Sequence, residues 1–283
     1  MPDIEGLLTS SYVRMCLYGD PGVGKTPLIG TGEDTLILDA DNGSISAGIM
    51  GSTADRMRIR DWDDMEEAKD YLRLEGYKKY KWAWLDSATL FQDRGLDHIM
   101  QVLVSDKAHR KVYAPDKGEY GQNMNRMMIW VREAVDIPMN IGVTAHVLRT
   151  EVEEIQEDGE IDYHTLYMPH IQGRNMPSKV CGEMNVVAYM YAKENGEGEL
   201  TRYIRVSGDQ WHYCKDRFGG IGGKKGVMAN PTIPKIESVI AEKMPARRVA
   251  TKKAAPVKKA SKAAKVASKA TVAKKTTPRK VAR

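Results

Sequence analysis

"GDPGVGKT" (Gly19–Thr26) decides how the rest of the chain is read. It fits the spacing G-x-x-x-x-G-K-[ST] in full. In such a loop the glycines let backbone N–H groups turn inward around phosphates. The lysine, here Lys25, reaches the β- and γ-phosphates, and the hydroxyl of Thr26 is able to ligate Mg²⁺. The whole stretch of Gly19, Asp20, Pro21, Gly22, Val23, Gly24, Lys25, Thr26 and Pro27 is therefore the expected phosphate cradle. "YVRMCLYG" (Tyr12–Gly19) before it reads as a strand. A helix after it adds the positive end of its dipole. Pro27 falls in the first helical turn, where its missing N–H costs the helix little.

Working outward, "TLILDAD" (Thr35–Asp41) and "KYKWAWLDS" (Lys79–Ser87) are apolar strands that end in acids. "MNIGVTAHV" (Met139–Val147) is a further strand, ending near His146. "MEEAKDYLRLEGY" (Met65–Tyr77) and "NMNRMMIWVREAV" (Asn123–Val135) have helical spacing. Buried strands alternating with helices predict an α/β fold with a mostly parallel sheet. Beyond residue 150 the pattern changes. Asp158-Gly159 and Asn195-Gly196 sit between alternating segments, which predicts antiparallel hairpins. "IPKIESVIAEKM" (Ile233–Met244) suits a closing helix.

The strand-end acids suit the chemistry of the loop. Asp86 stands where a P-loop enzyme holds Mg²⁺ through water; a helix cap is its alternative role, which Ser87 is equally able to fill. Asp41 is the candidate base for polarising the attacking water. Asp39 is the second candidate, and a turn with Asn42-Gly43 would employ either of them structurally. His146 is placed to feel a γ-phosphate, although a lone histidine is more often structural.

Four strand-end motifs in this order resemble the RecA-type ATPase core: "GDPGVGKT", "LILDAD", "WLDSATL" and "VTAH". The chain most resembles the minimal phage-encoded RecA-like ATPases of single-strand annealing and recombination. That resemblance places Asp41 where RecA carries its catalytic Glu, one methylene longer. It places His146 at the γ-phosphate-sensing Gln. "CKDRFG" (Cys214–Gly219) resembles the Lys-Asn-Arg-Phe-Gly motif of the RadA branch, with Asp216 for Asn. There the Lys and Arg act on a neighbouring subunit's nucleotide, which implies the same of Lys215 and Arg217. Cations so placed neutralise charge on the transferred phosphoryl group. A basic turn before "FGGIGGKKG" is the alternative reading. The resemblance spans roughly residues 10 to 220. It implies ATP and Mg²⁺ as cofactors and a homo-oligomeric ring or filament acting on single-stranded DNA. A single-strand-binding protein belongs among the expected partners. "SDKAHRKVYAPDKGEYGQNMNR" (Ser105–Arg126) interleaves basic and aromatic residues and is a candidate single-strand loop.

Charge divides the chain of 283 residues. From Arg247 onward there are 14 Lys or Arg and no acid, whereas the remainder has 29 basic against 38 acidic residues. A body of net −9 with a tail of +14 points to a polyanionic partner. The tail resembles those of actinobacterial histone-like proteins. It lacks apolar periodicity, so it is expected to be disordered alone and to bind duplex and single strands alike by neutralising phosphates; mere solubilisation is the alternative. The expected domains are 1–244, the ATPase core, and 245–283, the Lys/Ala-rich tail. Cys16, Cys181 and Cys214 are distant in sequence and show no disulfide or metal-ligand spacing, which suits a reducing cytoplasm. No signal peptide is legible, and no apolar run approaches the roughly 18 residues of a membrane span. Helicase or packaging motors, and a DNA organiser with a regulatory ATPase, are the competing functions.

Overall fold

Every residue of β1 (Arg14–Gly19) is buried, as expected of a parallel strand covered on both faces. Its side chains alternate between two cores. Met15 and Leu17 pack with Ile29, Trp82, Trp84 and Ile236. Cys16 and Tyr18 pack with Trp62, Phe91, Trp130 and Val180. The computed structural model describes residues 12–106, 114–155, 161–194 and 196–244. All of these belong to one unit of the chain, residues 1–247, and the other unit, 248–283, lies outside them. The expected tail, 245–283, is therefore also outside the described residues.

After β1 the chain runs through α1 (Lys25–Ile29), β2 (Thr35–Asp39), α2 (Ile45–Ile49) and β3 (Asp55–Arg58). Next comes α3 (Trp62–Tyr71), which passes through a π-turn (Leu72–Gly76) into the single turn of α4 (Tyr77–Lys79). Then follow β4 (Trp82–Asp86), α5 (Ala88–Asp106), α6 (Lys117–Val135), β5 (Asn140–Ile155), β6 (Ile161–Pro169) and α7 (Met176–Glu183). The last elements are β7 (Val186–Glu194), β8 (Leu200–Arg205), β9 (Lys215–Asp216), β10 (Val227–Ala229) and α8 (Ile233–Lys243).

The strand order is β10-β8-β7-β1-β5-β4-β2-β3, with β6 paired to β5 and β9 to β7. The pairs among β7, β1, β5, β4, β2 and β3 are all parallel. The β5–β6, β7–β8 and β8–β10 pairs are antiparallel. This is the α/β architecture expected from the sequence, with a mostly parallel centre and antiparallel C-terminal strands. The turns at Asp158-Gly159 and Asn195 fall wholly or partly outside the described residues, but the strands flanking each pair as a hairpin.

Register sets the function. Gly19 aligns with His146 on β5 and Met190 on β7, and Asp39 aligns with Asp86. Four motif ends thus meet at one edge of the sheet, the carboxyl edge where open α/β sheets bind ligands. Gly142 keeps β5 and β4 in contact: a Cβ there would lie 2.1 Å from the Trp84 ring.

The structure corrects several readings. Tyr77–Lys79 is helical, so β4 starts only at Trp82. Within the candidate single-strand loop, residues 107–113 lie outside the described ones, and Lys117–Arg126 is helix rather than loop. The reason is a capping box: Asp116 accepts from Gly118 N–H at 2.7 Å, and Glu119 accepts from Asp116 N–H at 2.7 Å. The cysteines, distant in sequence, converge in space: Cys16 and Cys181 are buried neighbours, and Cys214 Sγ lies 3.8 Å from Tyr18 Oη.

Candidate nucleotide site

The loop between β1 and α1 turns on Gly22 (φ 75) and Gly24 (φ 107), where a Cβ would be strained. Lys25 is buried. Its Nζ folds back to donate to Gly19 O and Asp20 O, both at 3.0 Å. Burial lowers its pKa, opposed by the charges of Asp86, Asp41 and Asp20.

Asp86 closes β4 and is buried. Thr26 Oγ1 donates to its Oδ2 at 2.6 Å, and Thr144 Oγ1 donates to its Oδ1. Desolvation pushes its carboxyl up, while the two hydroxyls hold it down. A buried carboxylate with a hydroxyl on each oxygen has the donor set and the negative charge to suit a cation. The helix-capping role falls to Ser87, whose Oγ lies 3.4 Å from Leu90 N. Thr144 is on β5, one register beyond the Leu85–Val143 pair. "VTAH" contains it, yet one polar residue in an apolar strand carries no signal until the neighbouring strand is known.

The two acids at the end of β2 part company: Asp39 closes the strand, and Asp41 lies two residues beyond it. Asp39 has a fully buried side chain paired with Arg56 at 2.8 Å. It also accepts from Ser44 Oγ at 2.5 Å and from Asp41 N at 3.2 Å. Asp41 is half-buried and accepts from Gly43 N at 2.6 Å. Burial, and then the charge of Asp86, push its carboxyl up to about 6.

His146 lies one strand from the loop. Its N–H donates to Thr89 Oγ1 at 2.9 Å, and its carbonyl accepts from His170 N at 2.8 Å. Burial, then the charge of Lys25, lower the ring's pKa. Lys25, Asp41, Asp86 and His146 thus belong to one electrostatic cluster.

Lys215 and Arg217 do not join it. Lys215 aligns with Val187 and Asp216 with Val186, at the start of β7, the sheet edge away from the loop. Lys215 Nζ donates to Cys181 O at 2.5 Å, and Arg217 Nη2 reaches Gly182 O at 3.5 Å. Asp216 accepts four backbone N–H groups, from Phe218 to Ile221, at 2.8–3.0 Å. That carboxylate orders the glycine-rich turn.

Two arginines at the loop escape a reading of the sequence. Arg149, on β5, pairs with Asp20 at 2.8 Å and lies over the Tyr167 ring. Arg202, on β8, donates from Nε to Val23 O at 3.1 Å. Each comes from a distant strand, so no local pattern marks it.

A phosphate loop whose Thr26 hydroxyl, at the start of α1, donates to Asp86 at the end of β4 defines a P-loop nucleotide-binding site at the carboxyl edge of a parallel sheet. The chain belongs to the AAA domain family, whose model matches residues 11–218. Among solved structures it is similar to the flagellar accessory protein FlaH from Methanocaldococcus jannaschii, at 8% identity and a TM-score of 0.39, over 77% of this chain and 84% of that one. It is also similar to the RadB recombinase, at 11% identity and a TM-score of 0.36, over 68% of this chain and 79% of that one. No curated protein matches it. Among the described residues no helix is long and apolar enough to cross a membrane.

Proposed function

We propose that this protein hydrolyses ATP and uses the cycle to grip single-stranded DNA, as a recombination or annealing factor in the cytoplasm of a phage's host. The observation that carries the ATPase part is the buried Thr26–Asp86 pair beside Lys25. Thr26 and Asp86 would hold Mg²⁺, which when bound would supply positive charge to offset that developing on the transferred phosphoryl group. Lys25 trades its two loop carbonyls for the phosphates. Asp41 accepts the proton of the attacking water, and the freedom of its carboxylate relative to Asp39 supports that choice. His146 carries the state of the γ-phosphate to the segment at His170.

Lys215 and Arg217 lie too far from their own loop to serve it, which favours action on a neighbouring subunit's nucleotide in a ring or filament. The DNA part rests on charge: a tail with 14 cations and no acid suits phosphate neutralisation. DNA binding with and without a non-hydrolysable ATP analogue tests it, in the full chain and in one lacking Ala246–Arg283. Truncation should weaken single-strand and duplex binding alike, and lower the salt slope by roughly 4 to 7 at ~0.7 per phosphate. The analogue should still modulate what remains, because coupling between two sites is reciprocal. A truncated chain that binds no DNA in either nucleotide state would restrict the core to a regulatory ATPase.

A further inference from the structure

The phosphate loop is one donor short. At a helix start the first N–H groups lack carbonyl partners and are offered to an anion. Gly24, Lys25 and Thr26 keep theirs, but Pro27 has none. The N–H of Leu28 is already committed to Gly24 O at 3.0 Å. In such loops the lysine serves the β- and γ-phosphates and the backbone N–H groups serve the α- and β-phosphates. The deficit therefore falls on the α/β end of a bound nucleotide.

A cation stands beside that deficit. Arg202 reaches from β8 across the loop, with Nε on Val23 O at 3.1 Å. A Cβ on Gly24 would lie 2.7 Å from Nε and 3.1 Å from Cδ of Arg202. Glycine at 24 thus serves both the positive φ and the passage of the arginine. The β7–β8 pairing delivers it: Met190 aligns with Gly19, and Arg202 pairs with Ala192 two residues further along β7. Other arginines nearby are already paired, Arg149 with Asp20 and Arg205 with Asp209. The two terminal guanidinium nitrogens of Arg202 make no hydrogen bond among the described residues, and no carboxylate there pairs with it. An unspent guanidinium fork at a phosphate loop is chemically matched to phosphate oxygens.

We propose that Arg202 is a nucleotide ligand within its own subunit, and that it replaces the N–H missing at Pro27 on the α/β-phosphate end of bound ATP. The assignment rests on the ATPase reading above. A double-mutant cycle tests it, with ADP affinity measured by calorimetry in the full-length protein. Arg202→Ala should weaken ADP about ten- to a hundredfold. Pro27→Ala restores a backbone donor, so in that background the same change should cost less than about threefold, because residues that share one partner are not additive.

Arg202→Gln keeps much of the stem and should fall between wild type and Arg202→Ala. It also provides the cycle if the alanine variant does not fold. Equal losses in both backgrounds would mean that Arg202 merely props Val23 O, and would overturn the proposal. So would an Arg202→Ala protein that binds ADP as wild type does while Lys25→Ala binds poorly. Wild-type protein that binds no nucleotide at all would refute the ATPase reading itself and the assignment with it.

Discussion

Replacing Asp41 by Asn separates the two acids that stand in competition in the sequence. The amide retains an oxygen to accept from Gly43 N, so the turn after β2 should persist. What it loses is the ability to take a proton. General-base catalysis contributes roughly 10²–10⁴ in rate, which is about 2.7–5.4 kcal/mol of barrier at ~1.36 per decade. A coupled assay should therefore find kcat lowered by that factor, with ATP affinity and Tm near wild type. The pH profile gives a second reading. The base must be ionised, and burial lifts the Asp41 carboxyl to about 6. Wild-type kcat/KM, which reports the free enzyme, should rise about tenfold per unit up to that pH and level off above it. Asp41→Asn should lose that limb. Asp39→Asn should behave differently: it disturbs the buried pair with Arg56 and the bond from Ser44, so Tm should fall. The reasoning is refuted if Asp41→Asn turns over at the wild-type rate with the acid limb intact. It also fails if Asp39→Asn stays stable and loses turnover.

Lys25→Ala should weaken ATP binding and abolish hydrolysis, read by calorimetry and phosphate release. Arg217→Ala should bind ATP but hydrolyse it poorly, and should regain activity when mixed with Lys25→Ala; no rescue in a co-assembled sample would exclude action across subunits. Thr144→Val removes one donor from the buried Asp86 carboxylate. It should cost about 1–3 kcal/mol of stability, seen as a lower Tm, and raise the Mg²⁺ concentration needed for half-maximal turnover.

The legible parts of this protein are those written in short range. The loop spacing, the acids closing two apolar strands and the switch from helix alternation to hairpins all depend on residues within a few positions of one another. The illegible parts depend on register between distant segments. Thr144 meets Asp86 only because β5 lies beside β4, and Arg202 meets the loop only because β7 lies beside β1. Asp39 and Asp41 look equivalent in "LILDAD" until Arg56, on the adjacent β3, occupies the first. A helix start is misread where a cap overrides composition, as at Asp116, which turns part of an expected basic loop into α6.

The central claim is an ATPase whose turnover answers to DNA, and ATP hydrolysis by the purified full-length protein at low salt tests it most directly. Phosphate release should require Mg²⁺, rise severalfold on adding single-stranded DNA, and vanish in Lys25→Ala. Turnover that is absent under all these conditions, or that single-stranded DNA leaves unchanged, would contradict the account.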